Sequence, residues 1–315
     1  MNILVTGKTG KLGRIMMEES PKTSNRYFFT DSSDLNILDS DAVNSFIADN
    51  KIKVIINAAA YTNVYGAEID FSSAFSINAT ALGIIARAAI KNDCYVIHIS
   101  TDYVFSSDIN RKPFTEDDIP RPLNNYGKTK LEGEKILMGS GCHFLIFRTS
   151  WLYSEYPPNF VTSACNNMLS CCQLSASVNH VGSPTYIRDL AKAIYHVVEN
   201  ELFFKNEGIY HLSAIGSLSM YEINNIVANT IKSKCDVIPL KRSITDCCPG
   251  FTSLNVEKFQ KTFNYVLPKA ESSIIYVADV YCNKISFFEI IKIKAKKCLF
   301  KIGLKPYLNK LKSIL

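Results

Sequence analysis

The sequence predicts an α/β protein, a doubly wound parallel sheet combined with a smaller, interleaved second domain. Two features predict this fold class. Short apolar runs rich in branched residues alternate with longer stretches of helical composition through the first 150 residues, and such alternation is typical of parallel strands joined by right-handed crossovers. The first apolar run also leads directly into a glycine-rich turn, and after residue 150 turn-rich segments replace the alternation.

The predicted elements follow from these runs in order. Strands are expected near residues 2–6, 26–30, 53–57, 95–100 and 142–148, and helices near residues 10–20, 40–49, 71–91 and 124–139. We assign residues 1–150 to the first domain and residues 151–280 mostly to the second. Parts of residues 150–215 are expected to supply late strands to the first sheet, because Gly208–Leu212 has the composition of a returning strand.

The glycine-rich turn reads Gly7-Lys-Thr-Gly10-Lys-Leu-Gly13. Its three glycines permit a tight turn, a close approach of the backbone to a pyrophosphate, and close helix–strand packing. Free amides at the start of the following helix favour a negative charge. A P-loop is excluded because no Gly-Lys-[Ser/Thr] follows at the required offset. An ordinary glycine-rich turn is the alternative, but the flanking strand and helix favour a dinucleotide site. The predicted contacts are Gly7, Thr9, Gly10, Lys11, Leu12 and Gly13.

Two carboxylates follow the second predicted strand. Asp31 and Asp34, with Leu35 beside them, lie where an acidic side chain accepts hydrogen bonds from an adenosine ribose. Asp31 pointed at the ribose would repel a 2′-phosphate and favour NADH, and Arg26 is poorly placed to compensate. The cofactor is therefore predicted to be NADH or NADPH.

A tyrosine and a lysine, Tyr126 and Lys130, stand four residues apart in a predicted helix. That spacing puts both side chains on one face. An ammonium beside a phenol favours the phenolate and eases proton exchange at a carbonyl or carbinol oxygen. Such a pair is more often a solvated helix face. Ser100 and Thr101 strengthen the functional interpretation, because they end an apolar strand at the sheet edge where ligands bind, although such hydroxyls usually satisfy loop amides.

Together the chain resembles the extended short-chain dehydrogenases, and specifically the dTDP-4-dehydrorhamnose reductases. The similar segments, spread over about residues 1–265, are Gly7–Gly13, Asn57–Thr62, Ser100–Phe105, Pro122–Glu134, Phe147–Tyr153, Gly182–Thr185 and Gly208–Leu212. The resemblance implies a Rossmann domain, a substrate-binding second domain, and NADH- or NADPH-dependent reduction of the C4 ketone of a dTDP-4-keto-6-deoxyhexose. Its product would be dTDP-L-rhamnose, used in surface polysaccharide such as O-antigen.

The resemblance also implies roles for individual residues. Thr101 would polarise the ketone, Tyr126 would deliver the proton, and Lys130 would hold the ribose hydroxyls and lower the tyrosine pKa. The nicotinamide would lie near Ala58, Ala59, Ala60 and Thr62. Substrate contacts are predicted at Asp102, Tyr103, Trp151, Asn159, Pro184 and Thr185. Family members sometimes form dimers through a magnesium-bridged acidic patch. This chain has no matching acidic cluster, so we predict no metal and leave a homodimer open.

Three departures from the family pattern leave other functions open. Tyr65 and Gly66 replace an Asp-Lys pair, Cys248 replaces an arginine, and Asn179-His-Val-Gly182 replaces Asp-Gln-x-Gly. A 4-ketoreductase acting on another nucleotide-6-deoxysugar is one alternative. A non-catalytic regulatory subunit, like that of methionine adenosyltransferase, is another. A 4,6-dehydratase is disfavoured because the loop reads Thr-Asp-Tyr at Tyr103, where dehydratases have Thr-Asp-Glu.

Composition places the chain among soluble cytoplasmic proteins. Of its 315 residues, 47% are hydrophobic and 20% are charged, which is ordinary for a globular protein. Met1 leads directly into the first strand, so no signal segment is expected, and no apolar run approaches the ~20 residues that span a bilayer. The ten cysteines lack zinc-ligand spacing and are expected to be buried free thiols.

The basic charge is concentrated at the C-terminus. Nine lysines and one acidic residue give residues 280–315 a net charge of +8, so the rest of the chain carries −2 of the overall +6. The body of the protein therefore gives no support for nucleic-acid binding. Residues 281–315 form a basic, aromatic-containing tail. Peripheral contact with an anionic membrane, a helix packed on the domain, and a frayed end are the three interpretations of it.

Overall fold

The computed structural model describes residues 1–107, 111–242 and 248–284. They divide into two compact units. The first comprises residues 1–152, 181–217 and 248–268, and the second comprises residues 153–180, 218–242 and 269–284. The predicted basic tail, residues 281–315, lies outside the described residues apart from its first four.

The elements are as follows in chain order. The strands are β1 (Asn2–Thr6), β2 (Arg26–Thr30), β3 (Ile52–Asn57), β4 (Tyr95–Thr101), β5 (Phe144–Thr149), β6 (Leu152–Tyr153), β7 (Gln173–Ser177), β8 (Val181–Gly182), β9 (Thr185–Tyr186), β10 (Gly208–His211), β11 (Leu218–Ser219) and β12 (Asp236–Leu240). The helices are α1 (Lys11–Glu18), α2 (Ser40–Asp49), α3 (Val64–Ile69), α4 (Phe71–Phe75), α5 (Ala81–Lys91), α6 (Asn125–Met138), α7 (Phe160–Ser170), α8 (Ile187–Glu199), α9 (Met220–Thr230), α10 (Glu257–Phe263) and α11 (Ala270–Lys284).

The first unit contains a six-stranded sheet in the order β10-β5-β4-β3-β1-β2. All five strand pairings are parallel. The predicted α/β, doubly wound parallel fold is confirmed, and the predicted returning strand is β10, which pairs with β5. From β1 the chain adds β2 on one side of the sheet and then β3 on the other, so the strand order reverses at β1. The crevice beyond the carboxyl ends of β1 and β3 is the usual ligand position in such a sheet.

The core of the first unit forms where the sheet meets α2 and α5. Alternate residues of the central strands face these helices, as the two-residue period of a strand requires. The cluster includes Leu4, Val43, Ile47, Ile55, Leu82, Ile85, Val96 and Ile146, none more than 1% exposed. This packing fixes the strand ends, and therefore the residues that follow them.

The helical stretch Phe71–Lys91 corrects the expectation that no apolar segment is long enough to span a bilayer. It runs through α4, a π-helical segment (Ser76–Thr80) and α5, and it is long and apolar enough to cross a membrane. In the part of the chain that the structure describes, it is the only helix with that property. However, 61% of its apolar window is buried inside the protein, and α5 packs against α2 and α6. Its length and hydropathy therefore match those of a buried core helix.

The second unit is built from α7, α9 and α11, with β7 paired in parallel with β12. Asn159 caps α7 in a capping box with Thr162, and Ser219 caps α9 in a capping box with Glu222. Such reciprocal bonds satisfy amides that a helix start leaves without partners. The cysteines among the described residues carry free thiols, as predicted, but the expectation that they are buried holds for only four of the eight. Cys172 is exposed, and Cys171, Cys248 and Cys282 are half-buried.

Candidate active site

A cavity of about 800 Å³ opens in the first unit where the strands of the sheet end. The predicted cofactor and catalytic residues that line it are Gly7, Thr9, Gly10, Lys11, Leu12, Asp31, Leu35, Ala58, Ala59, Ala60, Thr62, Thr101, Tyr126 and Lys130. The predicted substrate contacts that line it are Asp102, Tyr103 and Trp151. Residues more than 140 positions apart in the chain are thus brought to one edge of the sheet.

The glycine loop has a physical reason for two of its glycines. Gly7 adopts φ +78°, and a Cβ there would lie 2.8 Å from the backbone nitrogen of Ala59. A Cβ at Gly13 would lie 2.1 Å from the carbonyl oxygen of Gly7, so Gly13 permits α1 to pack on the loop without itself lining the cavity. Gly10 is the N-cap of α1, and no described side chain caps the helix there. The start of α1 therefore has no side-chain cap from the described residues, and the positive end of the helix suits an anion.

The carboxylates after β2 are joined by a lysine that sequence reasoning missed. Lys8 Nζ lies 2.5 Å from Asp34 Oδ2 and 3.7 Å from Asp31 Oδ2. Its hydrogen bond to Asp34 lowers the pKa of that carboxyl. Hydrogen bonds from Ser33 lower the pKa of Asp31, which faces the cavity. The only sequence signal for this cluster was a lysine inside the glycine loop, within reach of the second strand's end.

Thr101 and Tyr126 meet at the end of β4. Tyr126 lies in the first turn of α6, which Asn124 caps by accepting a hydrogen bond from Gly127 N at 2.7 Å. A Cβ at Gly127 would lie 2.1 Å from the carbonyl oxygen of Tyr103, so this glycine allows the helix to approach the strand. Burial raises the pKa of Tyr126 to about 12, although its hydrogen bond with Thr101 acts in the opposite direction. The phenol therefore stays protonated at neutral pH.

Lys130 is almost fully buried, with 1% of its surface exposed. Its Nζ donates to the carbonyl oxygen of Ile99 at 2.7 Å and lies 3.0 Å from His98 Nε2. Burial lowers the pKa of Lys130 to about 8, while the charge of Glu134 raises it. The expectation that Lys130 lowers the pKa of Tyr126 is corrected by these contacts. The amino group of Lys130 is directed to His98 and Ile99, and burial is the largest influence on the pKa of the Tyr126 phenol.

Asp102 lines the cavity, but its carboxylate is hydrogen-bonded to side chains of the protein. It accepts hydrogen bonds from Thr252 Oγ1 at 2.6 Å, Ser150 Oγ at 2.9 Å and Thr101 Oγ1 at 3.2 Å. Burial raises its pKa to about 6, against these hydrogen bonds. The neighbouring ring of Tyr103 meets the ring of Tyr126 edge-on at a centroid distance of 5.9 Å. Asp102 thus holds Thr101 in place from behind.

Trp151 lies at the cavity in an unusual backbone conformation, with φ +45°. Its indole lies against Gly182, where a Cβ would be only 2.5 Å from Trp151 Cε2. The main chain of Trp151 also accepts a hydrogen bond from Thr185 N at 3.2 Å. A glycine is therefore required at position 182, because the indole of Trp151 occupies the space that a side chain there would need.

Three predicted substrate contacts do not line the cavity. Asn159 uses its whole amide within the second unit, accepting from Val161 N and Thr162 N and donating to Ser154 O and Tyr156 O. Pro184 and Thr185 are buried in the first unit. The hydroxyl of Thr185 donates to Ser183 O and accepts from Ala214 N. The side chains of Asn159 and Thr185 are thus engaged in bonds that stabilise the fold.

Sequence reasoning also missed a buried ion pair next to the site. Arg148 Nη2 and Nε donate to Glu134 Oε2 and Oε1 at 2.7 and 3.0 Å, and Ser100 donates to the same carboxylate. Both charged side chains are at most 2% exposed. The available signal was an arginine within an apolar strand, since a buried charge requires a partner. Within the described residues, no group of three or more His, Cys, Asp or Glu side chains is arranged to hold a metal ion.

Comparison with known proteins adds the family. The model of the RmlD substrate binding domain family matches residues 1–282. The chain belongs to this family. Among RmlD relatives, the dTDP-4-dehydrorhamnose reductase of Aggregatibacter actinomycetemcomitans is 34% identical over 274 residues, covering 83% of this chain and 92% of the relative. That of Escherichia coli K12 is 34% identical over 281 residues, covering 85% and 94%.

Solved structures agree with the RmlD assignment. A dTDP-4-dehydrorhamnose reductase from Clostridium acetobutylicum superposes with a TM-score of 0.82 at 31% identity, covering 89% of this chain and 99% of that one. The enzyme from Bacillus anthracis, in complex with NADP, gives a TM-score of 0.80 at 28% identity, covering 90% and 99%. A dTDP-glucose 4,6-dehydratase from Streptomyces venezuelae, at 18% identity and a TM-score of 0.73, shares the fold.

Proposed function

We propose that the protein reduces the C4 ketone of a dTDP-4-keto-6-deoxyhexose with NADH or NADPH, converting dTDP-4-dehydro-L-rhamnose to dTDP-L-rhamnose. The observation that carries this proposal is the convergence of Thr101, Tyr126 and Lys130 on the same cavity as the glycine loop. Relatives at 34% identity that carry the reductase name support it, and so does the NADP complex of the B. anthracis enzyme.

The residues present fit a dinucleotide. The loop from Gly7 to Gly13 offers uncapped backbone amides at the start of α1, which suit a pyrophosphate. Asp31 lies at the cavity after β2, where a carboxylate suits ribose hydroxyls. Lys8 beside it carries a positive charge, which is the charge that a 2′-phosphate requires. This pair is consistent with either cofactor, and it replaces the simple NADH preference that Asp31 alone suggested.

The proposed chemistry divides between the cofactor and this chain. When bound, the reduced nicotinamide supplies a hydride to the sugar carbonyl carbon. Thr101 donates its hydroxyl hydrogen to Asp102 in this structure. With substrate bound, it would turn that hydrogen to the sugar carbonyl oxygen, orient it and stabilise the charge that develops there. Tyr126 delivers its phenolic proton to the forming alkoxide. Lys130 holds the ribose hydroxyls through the face of its ammonium that lines the cavity. The raised pKa of Tyr126 keeps that proton available at neutral pH.

A second candidate is a 4-ketoreductase acting on another nucleotide-6-deoxysugar. One observation favours it. Two of the three departures from the family pattern lie together, because the hydroxyl of Tyr65 is 3.7 Å from the sulfur of Cys248. Gly66, next to Tyr65, packs closely against Tyr61 and Asn63. Tyr65 is 58% exposed. A changed surface at these positions would alter which sugar is accepted while leaving the catalytic group intact.

Wider assignments accompany the proposal. We place the reaction in the cytoplasm, with its product entering surface polysaccharide such as O-antigen. The second unit is proposed to bind the sugar nucleotide, with Asn159 in its framework. Homodimer formation and membrane contact through residues 281–315 are two further proposals, and each needs its own experiment. Sedimentation velocity reports the first, and liposome co-sedimentation of chains with and without the tail reports the second. Equal partitioning of the two chains would remove the membrane contact.

The decisive assay is oxidation of NADH and NADPH with dTDP-4-keto-6-deoxyglucose, with and without a 3,5-epimerase. Oxidation that depends on the epimerase is expected and establishes the dTDP-rhamnose reaction. Oxidation without it favours the second candidate. Cofactor binding without oxidation in either case favours the regulatory-subunit alternative.

Tyr126→Phe tests the catalytic assignment. It should lower kcat by about 10²- to 10⁴-fold with cofactor affinity nearly unchanged, because only the proton donor is lost. The control Tyr221→Phe removes a phenol from the second unit and should leave kcat unchanged. Wild-type kcat in Tyr126→Phe would refute the assignment.

A further inference from the structure

A buried chain of polar side chains lies behind Lys130. His98 Nε2 is 3.0 Å from Lys130 Nζ, and His98 Nδ1 is 3.2 Å from Asn57 Nδ2. Asn57 Oδ1 accepts from Thr6 Oγ1 at 2.7 Å, and Thr6 Oγ1 accepts from Ala59 N at 3.3 Å. We refer to Thr6, Asn57, His98 and Lys130 as the lysine support chain. Each of its four members is only 1% exposed.

The support chain sits where apolar residues would otherwise be expected. Asn57, the last residue of β3, is directly paired with His98 inside β4. The residue before Asn57 and the residues on both sides of His98 are isoleucines. Burying unpaired polar groups is unfavourable, and complete hydrogen bonding offsets that cost. Both side chains are buried, so water cannot satisfy their polar groups. Their polarity is therefore explained by the one charged group they reach, Lys130.

The ring of His98 constrains the protons in this chain. A neutral imidazole has one N–H and one acceptor nitrogen. Asn57 presents its Nδ2 to the ring because its Oδ1 accepts from Thr6, so Nδ1 is the acceptor and the ring hydrogen lies on Nε2. That N–H donates well to an amine at Lys130 but opposes an ammonium. An ammonium requires the hydrogen on Nδ1 and the amide of Asn57 turned, with its oxygen towards the ring.

We propose that Asn57 and His98 are positioning residues that support Lys130 in both of its protonation states. Towards the ammonium, His98 accepts through Nε2 and Asn57 accepts from Nδ1–H. Towards the amine, His98 donates through Nε2 and Asn57 donates to Nδ1. The ring stays neutral throughout, and loss of the lysine's proton sends one proton from the support chain to solvent. The inference rests on the proposed role of Lys130 in binding the cofactor.

The surroundings make this coupling relevant near neutral pH. Burial brings the pKa of Lys130 to about 8, and Glu134, two turns further along α6 than Tyr126, raises it. Glu134 is itself paired with Arg148 of β5. Burial and the charge of Lys130 hold the pKa of His98 well below its usual range, so the ring remains neutral while the lysine titrates.

The geometry also explains how Lys130 faces the cavity. An ammonium has three N–H donors. Ile99 O and His98 Nε2 occupy two directions around Nζ, and Lys130 lines the cavity, so the third N–H is left for a ligand. Removing His98 releases the side chain to turn about its terminal bond.

The test is the titration of Lys130 in the full-length protein, read from the carbon-13 shift of its ε-methylene group by NMR. Lys130→Met assigns the resonance. His98→Leu should lower the titration midpoint by about 1 to 2 pH units, because the buried ammonium loses an acceptor. Asn57→Asp should raise the midpoint, because a carboxylate fixes the ring hydrogen on Nδ1. His98→Gln keeps an acceptor and should stay closer to wild type than His98→Leu.

His196→Leu is the matched control, since it removes a histidine that bonds to Phe263 O in the same unit and should leave the Lys130 midpoint unchanged. Unchanged midpoints in both His98→Leu and Asn57→Asp, or shifts in the same direction, overturn the proposal. If His98→Leu does not fold, the Lys130 midpoints of the other two variants still decide the proposal. The midpoint is expected to rise in Asn57→Asp and to stay near the wild-type value in His98→Gln.

NADPH affinity as a function of pH, without sugar substrate, gives the functional readout. The dissociation constant of His98→Leu should rise at a lower pH than that of wild type, and that of Asn57→Asp at a higher pH. A purely structural role would change affinity equally at every pH and would overturn the proposal. If wild type binds no NADPH while the NMR midpoints shift as expected, the cofactor role of Lys130 fails and the support chain stands.

Discussion

Replacing Glu134 with glutamine removes the only carboxylate that the described residues place on the guanidinium of Arg148. Arg148 is 2% exposed and Glu134 is fully buried. The pair makes three N–H···O contacts of 2.7 to 3.2 Å, and Ser100 adds a fourth bond to the carboxylate. Breaking such a buried pair from one side leaves an uncompensated charge and costs about 3–5 kcal/mol. We therefore expect Glu134→Gln to lower the free energy of unfolding by that amount.

Guanidinium denaturation followed by circular dichroism measures this change. Glu257→Gln is the matched control, because it breaks the exposed i,i+4 pair of Glu257 (65% exposed) with Lys261 (77% exposed) and should cost under about 0.5 kcal/mol. The double variant Glu134→Gln, Arg148→Met should recover part of the loss, since neither charge of the buried pair remains. A loss in Glu134→Gln no greater than in Glu257→Gln would refute the reasoning. So would a double variant whose loss equals the sum of the two single losses.

Two further predictions concern the loop and the buried aspartate. Gly13→Ala should weaken NADPH binding measured by fluorescence titration, because its Cβ would lie 2.1 Å from Gly7 O and must displace the loop; an unchanged dissociation constant would contradict this. The pKa of Asp102 is raised to about 6 from 3.8, so the folded state holds the proton more tightly than the unfolded chain does. The contribution of Asp102 to wild-type stability should therefore fall by roughly 2 kcal/mol as pH rises from about 4 to about 6, and the stability of Asp102→Asn relative to wild type should rise by that amount over the same range. Urea midpoints across this range compare the two proteins, and parallel curves would disprove the effect.

The strands were predictable because their apolar runs are short and end at turns. The predicted runs 2–6 and 26–30 coincide with β1 and β2, and 53–57, 95–100 and 142–148 differ from β3, β4 and β5 by one or two residues. The sheet buries most residues of β1, β3, β4 and β5, so hydrophobicity reports these strands directly. The edge strand β2 is half-buried. The helix predicted at 71–91 contains a π-helical segment that the hydrophobic periodicity does not reveal.

The candidate site was predictable where function depends on one local spacing. The glycine loop and the Tyr126–Lys130 pair are such spacings. Lys8 and His98 were missed because their partners lie 26 and 32 residues away in the chain, and only the sheet order brings them together. Asn159 and Thr185 were assigned to the substrate because the motif places them in order, although their hydrogen bonds are internal. A motif records which residues occur, and the structure determines what each one contacts.

One face of α6 joins the catalytic and the structural groups. Tyr126, Lys130 and Glu134 follow each other at steps of four, and each engages β4, through Thr101, His98 and Ser100 respectively. Steps of four place side chains on one helix face, so the familiar Tyr-x-x-x-Lys spacing continues one step further here. Gly127 allows α6 to approach Tyr103, just after β4, and Gly133 allows it to approach the π-helical segment, because a Cβ there would lie 2.2 Å from Asn78 O. Stability and proton chemistry are consequently coupled through Glu134.

That coupling has a sign. The negative charge of Glu134 raises the pKa of Lys130, so Glu134→Gln should move the midpoint of Lys130 to lower pH. Arg148→Met leaves the carboxylate without its cation and should move the midpoint to higher pH. Both variants are destabilised for the same reason, the loss of one partner of a buried pair. A general loosening of the fold would let water reach Lys130 and shift both midpoints upwards. Opposite shifts, measured by NMR in protein shown to be folded, therefore separate electrostatic coupling from unfolding, and a common direction would refute it.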